Sequence, residues 1–211
     1  MKLILGHHRL VMKLLAIVLI AAALAGRSRA MEPFGLEAVP SHSENLIVMW
    51  RDLQRELARD EAEIQLCRAA QGCRSDPAKR LISIVDEARR YRGRQMIGHL
   101  NRSINGAIPT TRADVPWLSP LAALSHAGDC KSYAIAKYLA LADAGIASRD
   151  RRLVMLRLTT TPAERHLAVL VRDGEHWLIL DNRTLTLVDS TATRQYAPLH
   201  EFDENGVRDF L

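Results

Sequence analysis

The sequence predicts an α+β fold, with helices in the first part of the mature chain and an antiparallel sheet in the last part. Up to Gly145, apolar residues recur at the spacing of amphipathic helices. After Gly145 the pattern changes to short, branched apolar runs typical of strands, and Asp173-Gly174 between two of them indicates a hairpin turn. A chain of 211 residues with 48% hydrophobic side chains can bury one core, so we expect a single domain over residues 31–211.

Residues 1–30 predict a secretory signal peptide. The run "MKLLAIVLIAAALAG" places an apolar segment behind Lys13 that is too short to span a bilayer comfortably. Small residues at the two cleavage-determining positions allow cleavage after Ala25 or after Ala30. We therefore expect a periplasmic or secreted protein that has no membrane segment after cleavage.

The basic charge of the chain belongs to this leader. The sequence has 29 Lys and Arg against 24 Asp and Glu, and five of the basic residues lie in residues 1–30, which leaves 24 of each sign. The mature chain is then neutral with histidine uncharged, so neither nucleic acid nor an anionic membrane is an expected partner. The basic cluster "RRYRGR" at residues 89–94 is explained as a solvated helix face.

Amphipathic helices are predicted ahead of the last cysteine. The repeated apolar positions are Leu46, Trp50, Leu53 and Leu57 in "ENLIVMWRDLQREL", and Leu81, Val85 and Ala88 in "AKRLISIVDEA". A third helix over Ile97 to Asn105 follows a break at Gly93, and "GAIPTTRADVPWLSP" is a Pro-rich connection. Beyond Gly145 the predicted strands are "RLVMLRL", "HLAVLVR", "HWLILD" and "TLTLV".

The chain has three cysteines, and in an exported protein close pairs usually form disulfides. Cys67 and Cys73 lie in "CRAAQGC", where Gly72 helps the chain to turn back. We therefore predict a disulfide between them at the corner between the first two helices. Cys130 is left over, either as a buried inert thiol or as a reactive one.

Cys130 stands at the beginning of a helix predicted over residues 130–144. Gly128-Asp129 is the start signal, with Asp129 as the N-cap, and Gly145 is the stop signal. The first turn of a helix offers unpaired backbone N–H groups and the positive end of the helix dipole, which favour a thiolate and can hold an oxyanion. The position suits a nucleophile, which still needs a base and a group that orients the base.

The predicted hairpin supplies candidates for both. If residues 173–174 form the two-residue turn, Arg172 faces Glu175, and the register continues outward until His166 lies opposite Asp181. Directly opposed residues share a face with Cβ atoms about 4.5–5.5 Å apart, so Asp181 can accept from one imidazole nitrogen while the other faces a thiol. Alone, the pair is equally well explained as a structural hydrogen bond. Beside an unpaired exported cysteine it favours catalysis.

The stretches "WLSPLAALSHAGDCKSYAIAKYLAL", "RHLAVLVRDGEHWLILDN" and "LCRAAQGC" resemble the bacterial transglutaminase-like cysteine proteinases, particularly their short exported alphaproteobacterial branch. The resemblance covers roughly residues 46–199 and implies the transglutaminase-like core of the papain-type superfamily. It implies Cys130 as the nucleophile, His166 as general base and acid, and Asp181 as the residue that orients the imidazole. Trp117 matches the family's tryptophan upstream of the cysteine, which a core indole explains equally well.

One departure from the family pattern concerns calcium. Where the family usually has "GDCED", this chain has Lys131 and Ser132, so only Asp129 remains of the acidic cluster through which adhesin-clipping members bind calcium. The resemblance therefore implies no required cofactor and no metal, with calcium at Asp129 as the open alternative. Lys131 can instead stabilise the thiolate electrostatically, or it can mark a diverged copy with weakened activity.

The function that the resemblance implies is an exported cysteine peptidase, monomeric, that hydrolyses a protein substrate of the cell envelope or surface. Two alternatives stay open. A lysine amine can capture the acyl-enzyme, which gives a transglutaminase, or the fold can serve as a non-catalytic binding module, for which Lys131-Ser132 is the hint. Zinc held by the three site residues needs a fourth ligand, for which His126 is the best candidate.

Overall fold

The α+β class predicted from the sequence is confirmed. The computed structural model describes Glu32–Ala69 and Gly72–Leu211, and the signal peptide predicted over residues 1–30 lies outside these residues. The described residues form five α-helices and seven strands, and six of the strands follow the helices in the chain. No helix in the described part of the chain is long and apolar enough to cross a membrane.

The helices follow the predicted apolar repeats. Their bounds are α1 (Glu44–Ala69), α2 (Asp76–Ala88), α3 (Gly93–Ala107), α4 (Pro120–Ser125) and α5 (Cys130–Asp143). The short helix α4 was not predicted. Ser75 begins α2 and Ser119 begins α4, and each side chain accepts a hydrogen bond from a backbone N–H of the first turn. A disulfide joins Cys67, in the last turn of α1, to Cys73, in the connection to α2.

The strands form one antiparallel sheet in the order β1-β7-β6-β2-β3-β4-β5. Their bounds are β1 (Ala38–Pro40), β2 (Arg151–Leu158), β3 (Arg165–Asp173), β4 (His176–Leu180), β5 (Val188–Asp189), β6 (Tyr196–Asp203) and β7 (Gly206–Phe210). Strands β2, β3 and β4 confirm three of the four predicted runs. The fourth, at residues 184–188, is wrong except at Val188. There Thr184 Oγ1 accepts from the backbone N–H of Thr186 at 3.1 Å, a local turn that competes with a sheet.

The β3–β4 hairpin forms, but its predicted register is wrong by two residues. The observed turn residues are Gly174 and Glu175 instead of Asp173 and Gly174. Gly174 has a φ of 64°, a left-handed conformation that glycine adopts without steric cost, and this selects it as the first turn residue. A shift of two leaves every side chain on its predicted face. His166 and Asp181 therefore share one face of the sheet but lie diagonally rather than directly opposite.

Helix α5 is held by packing on all sides, which fixes the position of its first residue. Every residue from Ser132 to Leu141 is buried. The strand side chains in the same core are Leu153, Leu167, Val169, Val171, Leu178, Leu180, Phe202 and Val207. The opposite face of the sheet carries a smaller cluster, Val154, Leu156, Ala168, Leu170, Trp177 and Ile179. Phe34 and Phe210 pack against that second cluster.

Candidate active site

The N-terminus of α5 is built by the residues just before Cys130. Asp129 is the N-cap, as predicted, and its Oδ1 accepts from the backbone N–H groups of Lys131 at 3.0 Å and Ser132 at 3.4 Å. These bonds satisfy two of the donors that the first turn of a helix leaves unpaired. Glycine is required at position 128, directly before the cap, because a Cβ there would lie only 2.4 Å from the Cβ of Ser132. The chain therefore presents the Cys130 side chain at the end of a tightly packed helix.

Cys130 is a free, half-buried thiol. Its sulfur accepts hydrogen bonds from the ring of His166 and from the backbone N–H of Leu167. The second bond is possible because β3 continues past the end of β4, where the paired residues stop at Val169 and Leu180. Burial by itself raises the pKa of the Cys130 thiol, but the two hydrogen bonds outweigh it, and the pKa lies below the ordinary value of a cysteine.

His166 lies between the thiol and Asp181. Its Nε2 is 2.9 Å from Oδ1 of Asp181, which leaves Nδ1 for the Cys130 sulfur, and the two side chains are 3% and 1% exposed. Burial lowers the pKa of His166, but the hydrogen bonds to Asp181 and Cys130 and their negative charges raise it to about 9. Burial raises the pKa of Asp181, but the bond and charge of His166 hold it well below its ordinary value. The structure thus brings together the three side chains singled out in the sequence.

Tyr196, which was not predicted, completes the surroundings of the carboxylate. The Tyr196 hydroxyl donates to Oδ2 of Asp181, and the backbone N–H of Arg183 donates to Oδ1 at 2.9 Å. The Tyr196 ring lies nearly parallel to that of His166, with an angle of 15° and 6.1 Å between centroids. Burial and the negative charge of Asp181 raise the pKa of Tyr196, so its phenol stays a donor. Tyr196 begins β6, where Pro198 interrupts the alternating pattern that would indicate a strand.

The residues around Asp129 do not fit a calcium ion. The Nζ of Lys131 lies 2.5 Å from Oδ2 of Asp129 and 2.6 Å from Oδ1 of Asp114, so an ammonium already sits between these carboxylates. Burial lowers the pKa of Lys131, but the two carboxylates raise it by more. The pKa therefore lies above its ordinary value, and the ammonium stays charged. Calcium takes six to eight oxygen ligands, and a calcium ion here would meet the positive charge of the lysine.

The zinc alternative finds no support in the geometry. Within residues 32–69 and 72–211, no three His, Cys, Asp or Glu side chains are arranged to hold a metal ion. His126, the suggested fourth ligand, is exposed just after α4. Trp117 is partly buried at the edge of the core, where its ring packs edge-on against Phe202 with ring centroids 5.8 Å apart.

A helix-start thiol, an imidazole and a carboxylate in a hydrogen-bonded series are typical of thiol peptidases and acyltransferases. The chain belongs to the family of bacterial transglutaminase-like cysteine proteinases, whose family model matches residues 63–201. The family predicted from the sequence is thereby confirmed, and the protein is a transglutaminase-like cysteine peptidase.

Solved structures of LapG from Legionella pneumophila share the fold. The calcium-bound structure and a second LapG structure match with a TM-score of 0.57 at 22% identity, and the match covers 71% of this chain and 87% of that chain. The EGTA-treated structure matches with the same TM-score, identity and coverage of this chain, and with 84% of its own. A search among curated proteins gave no match. At this identity the likeness establishes the fold alone, and the chemistry must be argued from the residues.

Proposed function

We propose that the protein is an exported cysteine peptidase in which Cys130, His166 and Asp181 form the catalytic triad. The position of His166 carries the proposal, because this side chain is bonded to Asp181 at 2.9 Å and also to the thiol. The pKa of the thiol is lowered and that of His166 is raised to about 9, and both shifts favour the thiolate–imidazolium pair. The thiolate is the nucleophilic form of cysteine.

The reaction begins when the Cys130 sulfur attacks the scissile carbonyl carbon and the carbonyl oxygen takes the negative charge. The cap bonds of Asp129 go to Lys131 and Ser132, which leaves the N–H of Cys130 to donate to this oxyanion. His166 gives its Nδ1 proton to the leaving amine as the C–N bond breaks, and a thioacyl-enzyme remains. Neutral His166 then takes a proton from water, whose oxygen attacks the acyl carbon, and the C–S bond breaks to release the acid and the thiolate.

Two features support export and a substrate in the cell envelope. Residues 1–30 have the pattern of a signal peptide. The disulfide between Cys67 and Cys73 is characteristic of an oxidising compartment, whereas Cys130 stays free in the same chain. Hydrolysis of an envelope or surface protein is the function that fits both features, and we propose that the enzyme acts as a monomer.

Product mass distinguishes this peptidase from the transglutaminase alternative. When exported proteins of cells that carry the wild-type chain are compared with those of cells that carry Cys130→Ala, we expect fragments that occur only with the intact thiol. The masses of two such fragments should sum to the mass of the parent protein plus one water. A glutamine–lysine cross-link with loss of ammonia would instead identify an acyltransferase. Identical patterns from both cells would favour the non-catalytic binding module.

Calcium is expected to change the activity and the melting temperature little. The ammonium of Lys131 contacts both Asp129 and Asp114 and supplies the positive charge that these carboxylates need. We expect less than about a twofold change in turnover between EGTA and added calcium, since two carboxylates that are already paired with a lysine are a poor start for a site of six to eight oxygens. Strong inhibition by EGTA that added calcium reverses would contradict this prediction.

A matched variant tests the same point from the other side. Lys131→Glu combined with Ser132→Asp restores the acidic residues of the family pattern next to Asp129. We expect calcium to raise the melting temperature of this double variant and not that of the wild type. The comparison keeps the thiol and the imidazole unchanged, so any gain comes from the exchanged residues.

A further inference from the structure

A buried lysine lies behind the site, and the proposed mechanism does not use it. Lys137 is 0% exposed and lies in the middle of α5. It follows Cys130 by seven residues, about two helical turns, so the two side chains lie on the same side of the helix. Lysine is almost never fully buried unless it is paired, so its place in this core requires a cause.

The ammonium of Lys137 reaches the end of β4. Its Nζ lies 3.5 Å from the carbonyl oxygen of Leu180. The next carbonyl, that of Asp181, accepts from Nδ2 of Asn105 at 3.0 Å. Side chains from α5 and α3 therefore hold two consecutive carbonyls at the point where the strand leads into the site. A single carbonyl at 3.5 Å is weak compensation for a buried ammonium, because the distance is at the limit of a hydrogen bond.

Asp181 supplies the charge that acts on Lys137. Burial lowers the pKa of Lys137 to about 7, and the negative charge of Asp181 opposes this effect. The side chains that α3 directs to the same segment, Asn101 and Asn105, are neutral. His166, from β3, is bonded to the same carboxylate.

The carboxylate does not need Lys137 as a hydrogen-bond partner. Its oxygens already accept from the ring of His166, the backbone N–H of Arg183 and the hydroxyl of Tyr196. What remains uncompensated is charge, because a thiolate, an imidazolium and a carboxylate together carry one negative charge in a buried place. Buried charge is costly unless it is balanced, and a protonated Lys137 balances it.

We propose that Lys137 is a positioning residue for the reaction. Its buried ammonium neutralises the net charge of Cys130, His166 and Asp181 and contacts the end of β4, directly before Asp181. This inference rests on the proposed function. Lys137 acts through Asp181 and touches no substrate. Its removal leaves one negative charge in excess, which makes the thiolate harder to form.

Lys137→Met tests the inference, because methionine has a similar length and no charge. A helix rises about 10 Å over seven residues, and we take this as the separation between the ammonium and the thiol. At an effective dielectric constant of about 20, the loss of a positive charge at that distance raises the pKa of the thiol by about one unit. We expect alkylation of Cys130 to be up to about tenfold slower at acid pH. Above a pH of about 8, where the lysine of the wild type is itself neutral, the two proteins should react alike.

Two further variants separate charge from structure. Leu141→Ala removes an uncharged, 0% exposed side chain one turn further along α5 and should lower the melting temperature without moving the pH profile of alkylation. Lys137→Gln keeps a polar donor but not the charge, so its profile should move as that of Lys137→Met does.

The same measurements distinguish a failure of the inference from a failure of the proposed function. A wild-type Cys130 that alkylates no faster than a small-molecule thiol overturns the proposed function. A fast wild-type thiol whose pH profile is unchanged in both Lys137→Met and Lys137→Gln overturns the inference alone. The inference is supported if the pH profile of alkylation is displaced in the folded Lys137 variants and unchanged in Leu141→Ala.

Discussion

Cys130→Ala and His166→Ala are each expected to abolish peptide hydrolysis while the fold is retained. The nucleophile and its base act in the same step, so we expect each change to lower turnover by roughly 10⁵-fold or more, and the double variant to be no worse than either. The sulfur of Cys130 accepts from His166 and from the N–H of Leu167, and neither bond belongs to the sheet ladder. Turnover and melting temperature measured on the same preparations check both parts of the prediction.

A matched histidine provides the control. His176 lies in the same hairpin as His166, is paired with Asp189, and is exposed. His176→Ala should therefore keep full activity. In the wild type the Cys130 thiol should alkylate with an apparent pKa below about 8.5, the value of a free cysteine, and His166→Ala should raise it. Wild-type turnover in Cys130→Ala would identify another nucleophile and remove the triad.

The proximity of His166 and Asp181 could be predicted from the sequence, although their register could not. The Asp-Gly dipeptide indicates a tight turn but does not say which of two adjacent positions the glycine takes. The left-handed φ of Gly174 places it first in the turn, and this moves the register by two residues. Because side chains alternate with a period of two, such a shift does not change which side chains share a face.

Tyr196 and Lys137 could not be predicted, because long-range packing gives them their places. Tyr196 reaches the carboxylate from β6, which pairs with β2, a strand about forty residues earlier in the chain. Lys137 interrupts an otherwise apolar helix pattern, and a single lysine in such a pattern is normally read as facing solvent. Only the burial of α5 on every side shows that it has no route to water.

Strands β1, β6 and β7 were missed for local reasons. β1 has three residues, too few for an alternating pattern to be recognised. β6 contains Pro198 and its pairing with β2 shifts register between Met155 and Leu156, so its apolar residues do not alternate regularly. β7 follows β6 through a two-residue turn at Glu204 and Asn205 and carries charged residues on both faces.

Asp181→Asn is expected to leave measurable activity, reduced by roughly 10²- to 10⁴-fold, because it misorients the imidazole without removing the base. The carboxylate accepts from Nε2 of His166 at 2.9 Å, and an amide of the same shape carries no charge to balance the imidazolium. Tyr196→Phe is the milder companion, since it removes one donor to Asp181 and keeps the carboxylate. We expect it to lower turnover by less than about tenfold.

The pH dependence of kcat/KM shows how Asp181 acts. Its hydrogen bond and charge contribute to raising the pKa of His166 to about 9, and the thiolate–imidazolium pair exists only below that pKa. Without the carboxylate the pKa of His166 falls, so the alkaline limb of the profile should move to lower pH in Asp181→Asn and stay near its wild-type position in Tyr196→Phe. If Asp181→Asn leaves the alkaline limb in place, Asp181 neither raises the pKa of the imidazole nor orients its ring. His166 would then work without a third partner.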